Sequence, residues 1–268
     1  MKRSTILFAL AVLALVPVAT CLQSCKTQYD AVLESNDVDV KYNAAFDYFN
    51  RGKYSRAATL FESLTLLTNG TPRYDTVLYY LGLSNYSFKD YYTAEGNFQQ
   101  YLTYFPQGNF SETADFLRID CMYRSTLRYE LDQTQTYSAI TAISDYLRAH
   151  PDGANADICR HRLEELGERL DRKAFENAKL YYTMEDYKAA RVALRNVLKD
   201  DADNVYREDI LYYTAMASYK FADMSIPAKR KERFLVFQDD YLNFIGEYPE
   251  SNYRKELDGL YEKVKEKY

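Results

Sequence analysis

The stretch YSRAATLFESLTLLTNG, residues 54–70, decides the fold. Tyr54 is followed by Ala57 three residues on, by Phe61 seven on, and by Asn69-Gly70 fifteen on. Offsets of three and seven share one face of an α-helix. A small residue on that face lets another helix come close, and Asn-Gly stops the helix. The arrangement returns four times. Tyr91, Ala94, Phe98 and Pro106 are the second copy, and Thr136, Ala139, Ile143 and Pro151 the third. Tyr187, Ala190, Leu194 and Ala202 are the fourth; Phe234, Phe237, Tyr241 and Pro249 are a degenerate fifth.

Upstream of each copy lies another apolar-periodic stretch, so each unit is a helix pair. The periodicity predicts first helices at 38–51, 74–88, 112–131, 156–183 and 205–223. The second helices are expected at 54–68, 91–105, 134–149, 186–199 and 228–247. A last helix, 252–267, is charged on one side and suits the polar cap that a repeat stack needs at its end. The spacing resembles the tetratricopeptide repeat, whose second helix carries the aromatic, the Ala and a closing Pro. Gly82 falls where that family places its first-helix Gly, and Gly52 falls at the turn between paired helices. The resemblance implies an all-α, helix-turn-helix repeat superhelix of about five pairs plus a C-terminal capping helix. Motif starts lie 37, 45, 51 and 47 residues apart. The family's repeat is shorter, so the first helices from the third unit on are expected to be longer.

The N-terminus reads as an export signal. Lys2 and Arg3 precede an almost wholly apolar run, Ile6 to Val18, too short for a bilayer span of about 20 residues. Leu22-Gln23-Ser24-Cys25 resembles the lipobox of bacterial lipoproteins, in which the Cys becomes the lipid-bearing first residue. Cys21, after Val18-Ala19-Thr20, competes; the Leu three residues before Cys25 favours Cys25. The expected organisation is a signal peptide at 1–24, a lipidated Cys25 with its tether at 25–37, and one repeat domain at 38–268. By the family's sorting pattern, Lys26 and the lack of an acidic run imply an outer-membrane anchor facing the periplasm.

Composition bounds the function. Removing residues 1–24 takes away Lys2 and Arg3 and no acidic residue, which moves the net charge from −5 to −7. Nucleic-acid binding needs a basic footprint, so it is not expected. Besides the lipobox, only Cys121 and Cys159 remain, either as buried thiols or as a single bridge. His150 and His161 lack metal-ligand spacing, and no phosphate-binding Gly loop or nucleophile elbow occurs. No catalytic residue, metal or cofactor is expected, and the chain reads as a non-enzymatic binding module.

In the tetratricopeptide family the first helices line the concave groove. Carried over, that implies Tyr42, Phe46 and Phe49 in the first unit, and Tyr79, Leu83 and Tyr86 in the second. The third offers Arg124 and Arg128, and the fourth Arg172, Phe175, Lys179 and Tyr182. Such a groove would be aromatic at one end and basic at the other, suited to a peptide with an aromatic and a carboxylate. The alternative is that many of these rings are core, since Tyr alone supplies 28 residues. A second expected surface is Ala228-Lys229-Arg230-Lys231-Glu232-Arg233. Lys229, Arg230, Lys231 and Arg233 crowd a helix N-terminus, which the helix dipole disfavours, and so hint at an acidic partner.

Five units behind a lipobox, with helix ends such as Tyr104-Phe105-Pro106 and Glu247-Tyr248-Pro249, are similar to the BamD-like outer-membrane assembly lipoproteins. That resemblance implies three kinds of partner: the barrel-forming assembly subunit, other assembly lipoproteins and unfolded outer-membrane proteins. A periplasmic adaptor for peptidoglycan or envelope machinery, or a surface nutrient-capture lipoprotein, would keep the same repeats.

Overall fold

A computed structural model describes residues 28–267, and its regular secondary structure is wholly α-helical. The signal segment and Cys25 lie outside the described residues. The chain divides into two compact units, one ending at Cys121 and the other beginning at Met122. Unit 1 holds α1 (Gln28–Glu34), α2 (Val38–Asn50), α3 (Tyr54–Thr68), α4 (Arg73–Ser87) and α5 (Tyr91–Tyr104). Helix α6 (Ser111–Arg124) contains the division. Unit 2 continues with α7 (Thr134–Ala149), α8 (Ala156–Thr183), α9 (Tyr187–Asp200), α10 (Arg207–Asp223), α11 (Pro227–Glu247) and α12 (Arg254–Lys267). These are tetratricopeptide-like helix pairs with a terminal capping helix, and most boundaries fall within two residues of the sequence reading.

The recurrent motif is the packing seam. Ala57, Ala94, Ala139 and Ala190 are all fully buried, as are Phe61, Phe98, Ile143 and Leu194. In the fifth copy Phe237 replaces the Ala and is also buried. Gly82 serves the same close approach from the other side: a Cβ built there would lie 2.8 Å from the Phe98 ring. The turns between paired helices also repeat. Gly52, Lys89 and Glu185, each two residues before the motif aromatic, take φ of 71°, 69° and 62°. In each turn the next amide reaches back to close the preceding helix: Lys53 N to Tyr48 O at 2.8 Å, Asp90 N to Asn85 O at 3.0 Å, and Asp186 N to Tyr181 O at 3.0 Å. This left-handed helix ending satisfies carbonyls that would otherwise lack a donor. Asp90 and Asp186 then cap the following helices, accepting from Thr93 N and Ala189 N, each at 3.1 Å. Their side chains meet the exposed amides of the first helical turn.

Two expectations need correcting. The tether expected before residue 37 contains α1, which is anchored to its unit. Tyr29 meets the Tyr48 ring edge-on at 5.3 Å and lies 5.1 Å from the Arg56 guanidinium, while Val32 and Leu33 pack on the α2–α3 core. The first helix of the third pair, expected to reach 131, ends at Arg124. Helical periodicity continues in the sequence, but α8 offers the backbone better partners. Lys173 Nζ donates to the carbonyls of Tyr129 at 3.0 Å and Leu131 at 2.8 Å. Arg169 donates to Leu127 O at 3.1 Å, and buried Gln133 donates to Arg128 O at 2.7 Å. Carbonyls so occupied do not need a helix.

In unit 2 the capping helix works as expected. Leu257 and Val264 of α12 are buried against a cluster that includes Leu211, Phe237 and Phe244. A polar knot ties α9, α10 and α11 together. Asp240, whose side chain is 12% exposed, receives Arg191 Nε at 2.7 Å, Arg191 Nη2 at 3.2 Å and Ser218 Oγ at 2.5 Å. Cys121 and Cys159 are both buried thiols.

Candidate protein-binding surfaces

The expected groove residues divide sharply by burial. Phe46 is half-buried and meets Phe61 and Tyr80 at 5.1 and 4.7 Å; Phe49 meets Tyr80 at 5.3 Å. Both rings belong to the packing between α2, α3 and α4. Tyr79 is only 7% exposed and stacks on Phe110 at 4.2 Å. Burial pushes its phenol above the ordinary tyrosine range. Tyr79 is therefore a core residue and not a groove wall. A first-helix stripe is wide enough to face two neighbouring helices, and this register faces inward.

Tyr42, Leu83 and Tyr86 remain partly exposed on unit 1. Tyr42 lies 4.9 Å from Phe46 and beneath the Arg73 guanidinium at 5.0 Å. Tyr86 donates its hydroxyl to Asp120 at 2.7 Å, with Tyr91 edge-on at 5.7 Å. Each of the three offers partly exposed apolar surface, and the Tyr86 hydroxyl is already held by Asp120, features suited to contacting another chain at low entropic cost.

On unit 2 the basic candidates do not form one row. Arg124 ends α6 and is exposed, and Arg128 stands on the loop after it. Arg172 is exposed with its guanidinium 4.4 Å from the Tyr129 ring. Arg128, Tyr129, Arg169 and Arg172 line a cleft of about 540 Å³, which Glu165 and Glu168 also line. The cleft thus offers two exposed guanidinium groups within a mixed-charge surface. Lys179 sits between the rings of Phe175 and Tyr213, at 5.1 and 5.2 Å, and pairs with Glu176 at 3.7 Å. Phe175 is buried, stacked on Tyr206 at 5.4 Å, and Tyr182 packs edge-on to Tyr187 and Tyr213. Lys179, Phe175 and Tyr182 are thus occupied within their own unit.

The basic run opening α11 has a local explanation. Arg230 donates to Ser225 O and Asp223 O, both at 3.0 Å. Arg233 donates to Ser225 Oγ and lies 4.0 Å from the Phe221 ring. Both arginines therefore finish the C-terminus of α10, where carbonyls and helix dipole favour cations. Lys229 pairs with Glu232 at 3.3 Å, and Lys231 is exposed. Within this run Arg230 and Arg233 thus have local partners, while Lys229 and Lys231 stay exposed.

One groove escaped the sequence reading. Between α8 and α9, with Tyr137 of α7 at its rim, lies a groove of about 570 Å³. Gly167, Ala174, Ala178 and Ala193 keep its floor low, and Asp171, Asp200 and Asp201 gather at one end. Small residues at 167, 174 and 178, all on one face of α8, were the available signal.

His150 ends α7 against the Tyr146 ring at 5.0 Å, and His161 is exposed. Among the described residues no group of His, Cys, Asp and Glu is placed to hold a metal ion. Among them, too, no helix is long and apolar enough to cross a membrane.

The sequence matches the family described as YfiO, outer membrane lipoprotein, over residues 34–235. It is 21% identical over 237 residues to the outer membrane protein assembly factor BamD of Caulobacter vibrioides, an alignment covering 88% of this chain and 75% of that protein. A solved TPR repeats protein from Bacteroides fragilis aligns with a TM-score of 0.40 at 16% identity, over 86% of this chain and 99% of that chain. A thermophilic TPR protein from Thermus thermophilus aligns with a TM-score of 0.33 at 15% identity, over 84% and 98%. The family match begins at the last residue of α1 and runs into α11, so it takes in four complete motif copies and the start of the fifth. The chain belongs to the YfiO family of outer membrane lipoproteins.

Proposed function

We propose that this chain is a non-catalytic scaffold of the machinery that assembles β-barrel proteins in the outer membrane. The carrying observation is the family match over 34–235, joined by the assembly-factor relative that spans most of the chain. In this reading residues 1–24 are removed on export, and Cys25 carries the lipid that holds residues 38–268 on the periplasmic side. The barrel-forming subunit and fellow assembly lipoproteins are its partners. Unfolded barrel proteins are its clients, their strands alternating apolar and polar residues. Tyr42, Leu83 and Tyr86 would give unit 1 an apolar contact face. Arg124, Arg128 and Arg172 would give unit 2 guanidinium groups able to hold a carboxylate in two-pronged fashion. No step needs covalent chemistry, because binding and positioning suffice.

The test is an affinity pull-down of the tagged, membrane-anchored chain in mild detergent, with mass spectrometry of the co-purified proteins. Near-stoichiometric recovery of a large outer-membrane barrel protein with periplasmic repeat domains is expected. A Cys25→Ser variant should leave the membrane fraction and lose most of that recovery. Recovery of cell-wall or division proteins, with no barrel protein, would overturn the assignment and leave the fold intact.

A further inference from the structure

The α8–α9 groove uses none of the residues invoked above. Its floor lets another backbone come close. From Gly167 to Tyr181 the open face of α8 runs about 21 Å, enough for roughly four turns of a partner helix. Tyr137 and Tyr181, 60% and 44% exposed, stand at its sides.

The groove has a pronounced charge imbalance. Three carboxylates line it, Asp171, Asp200 and Asp201, and no lysine or arginine does. Asp200 and Asp201 sit at the C-terminus of α9, where the helix dipole disfavours negative charge. Asp171 accepts from Val205 N at 3.0 Å; burial, and then the neighbouring Asp201 carboxyl, push its own carboxyl up. The arrangement is one that an added cation would relieve.

A second, independent feature points the same way. Asn204 lines the groove and is 2% exposed. Its Oδ1 accepts from Tyr206 N at 3.0 Å, which fixes the amide's orientation. Its Nδ2 is a buried donor with no acceptor among the described residues. Buried donors left without an acceptor are costly and uncommon in folded proteins.

We propose that this groove docks a helical segment of another protein, which lays small apolar side chains on α8 and brings a lysine or arginine to Asp171 and Asp201. A carbonyl or side-chain oxygen of that segment would accept a hydrogen bond from Asn204 Nδ2. The binding mode is a helix laid in a groove, with the cation fixing its direction. The inference stands on the groove itself and does not depend on the assembly role.

The probe is a labelled, stapled helical peptide of roughly 15 residues with an Ala/Leu face and two lysines at one end. A matched peptide carries glutamates instead of the lysines. Fluorescence anisotropy is followed with the full-length chain in mild detergent. The lysine peptide should bind saturably, and the glutamate peptide at least about tenfold more weakly. Asp201→Asn, at an exposed position that leaves the fold intact, should weaken the lysine peptide about fivefold or more. Ala174→Trp should abolish binding with an unchanged helical circular-dichroism spectrum. Equal binding of both peptides, indifference to Asp201→Asn, or no saturation up to about 1 mM peptide would each overturn the proposal. So would self-association of the chain that Asp201→Asn abolishes, since the occupant would then be a second copy.

Discussion

Two glycines lie on facing helices of the second pair, and the structure assigns them opposite responses to the same substitution. Gly96 in α5 is exposed, and a Cβ there meets nothing within 4 Å. Alanine relieves the backbone-entropy cost of a helical glycine, so Gly96→Ala should stabilise by about 0.8–1 kcal/mol. Gly82 in α4 has the same propensity to gain. Its Cβ, however, would lie 2.8 and 2.9 Å from two carbons of the Phe98 ring, which is fully buried. That ring must shift by more than half an ångström against Tyr79 and the α4–α5 seam. Overpacking of this kind costs about 1–3 kcal/mol. Taking the middle of that range and subtracting the propensity gain leaves Gly82→Ala destabilised by about 1 kcal/mol. The two variants should therefore differ by about 2 kcal/mol. At about 2–4 °C per kcal/mol for a chain of this size, that is a gap of roughly 4–8 °C in Tm. Urea and thermal unfolding of both variants, side by side, measure it. A Gly82→Ala variant that gains as much stability as Gly96→Ala would refute the close approach of Phe98 as the reason for glycine at 82.

The paired-helix turns and the buried phenols give two further tests. Lys89 and Glu185 occupy the left-handed position that Gly52 fills in the first pair. Lys89→Gly and Glu185→Gly should therefore each stabilise by about 1 kcal/mol, while Gly52→Ala destabilises by a similar amount; chemical denaturation reads all three. At high pH, Tyr241 and Tyr253 are the groups to follow. Burial and a 2.7 Å hydrogen bond to Asp258 push Tyr241 up to about 12, and a 2.7 Å bond to Asp209, with burial, pushes Tyr253 up to about 12. An unfolded tyrosine ionises near pH 10. The stability these phenols contribute is thus complete below pH 10 and is lost as pH rises towards 12. Unfolding followed across that window should show stability falling, and Tyr241→Phe with Tyr253→Phe should lessen the fall, the other buried tyrosines supplying the rest.

Periodicity placed the paired helices, apart from the end of α6, because burying an amphipathic stripe leaves its spacing in the sequence. The helices at 134–149 and 156–183 fall where they were expected. The seam residues Ala57, Phe61, Ala94 and Phe98 were likewise legible from offsets of three and seven, since an alanine on an apolar face has few uses besides close approach. The surfaces were less legible. Tyr79 and Tyr42 share a residue type and a kind of helix; one is stacked in the core and the other is partly exposed. Only packing by neighbouring helices distinguishes them, and that information is not local. Arg230 and Arg233 looked like a patch for an acidic partner until the end of α10 and the residues after it brought two carbonyls to Arg230 and the Ser225 hydroxyl to Arg233. The end of α6 at Arg124 was decided by Lys173, Arg169 and Gln133, the first two more than forty residues along the chain. By itself, then, the sequence determined the helix pairs, their seams and the signature of a lipid anchor, all of which are written in local spacing. The tertiary structure alone decided which side chains face solvent and which charges already have partners, because both depend on groups brought together from distant positions.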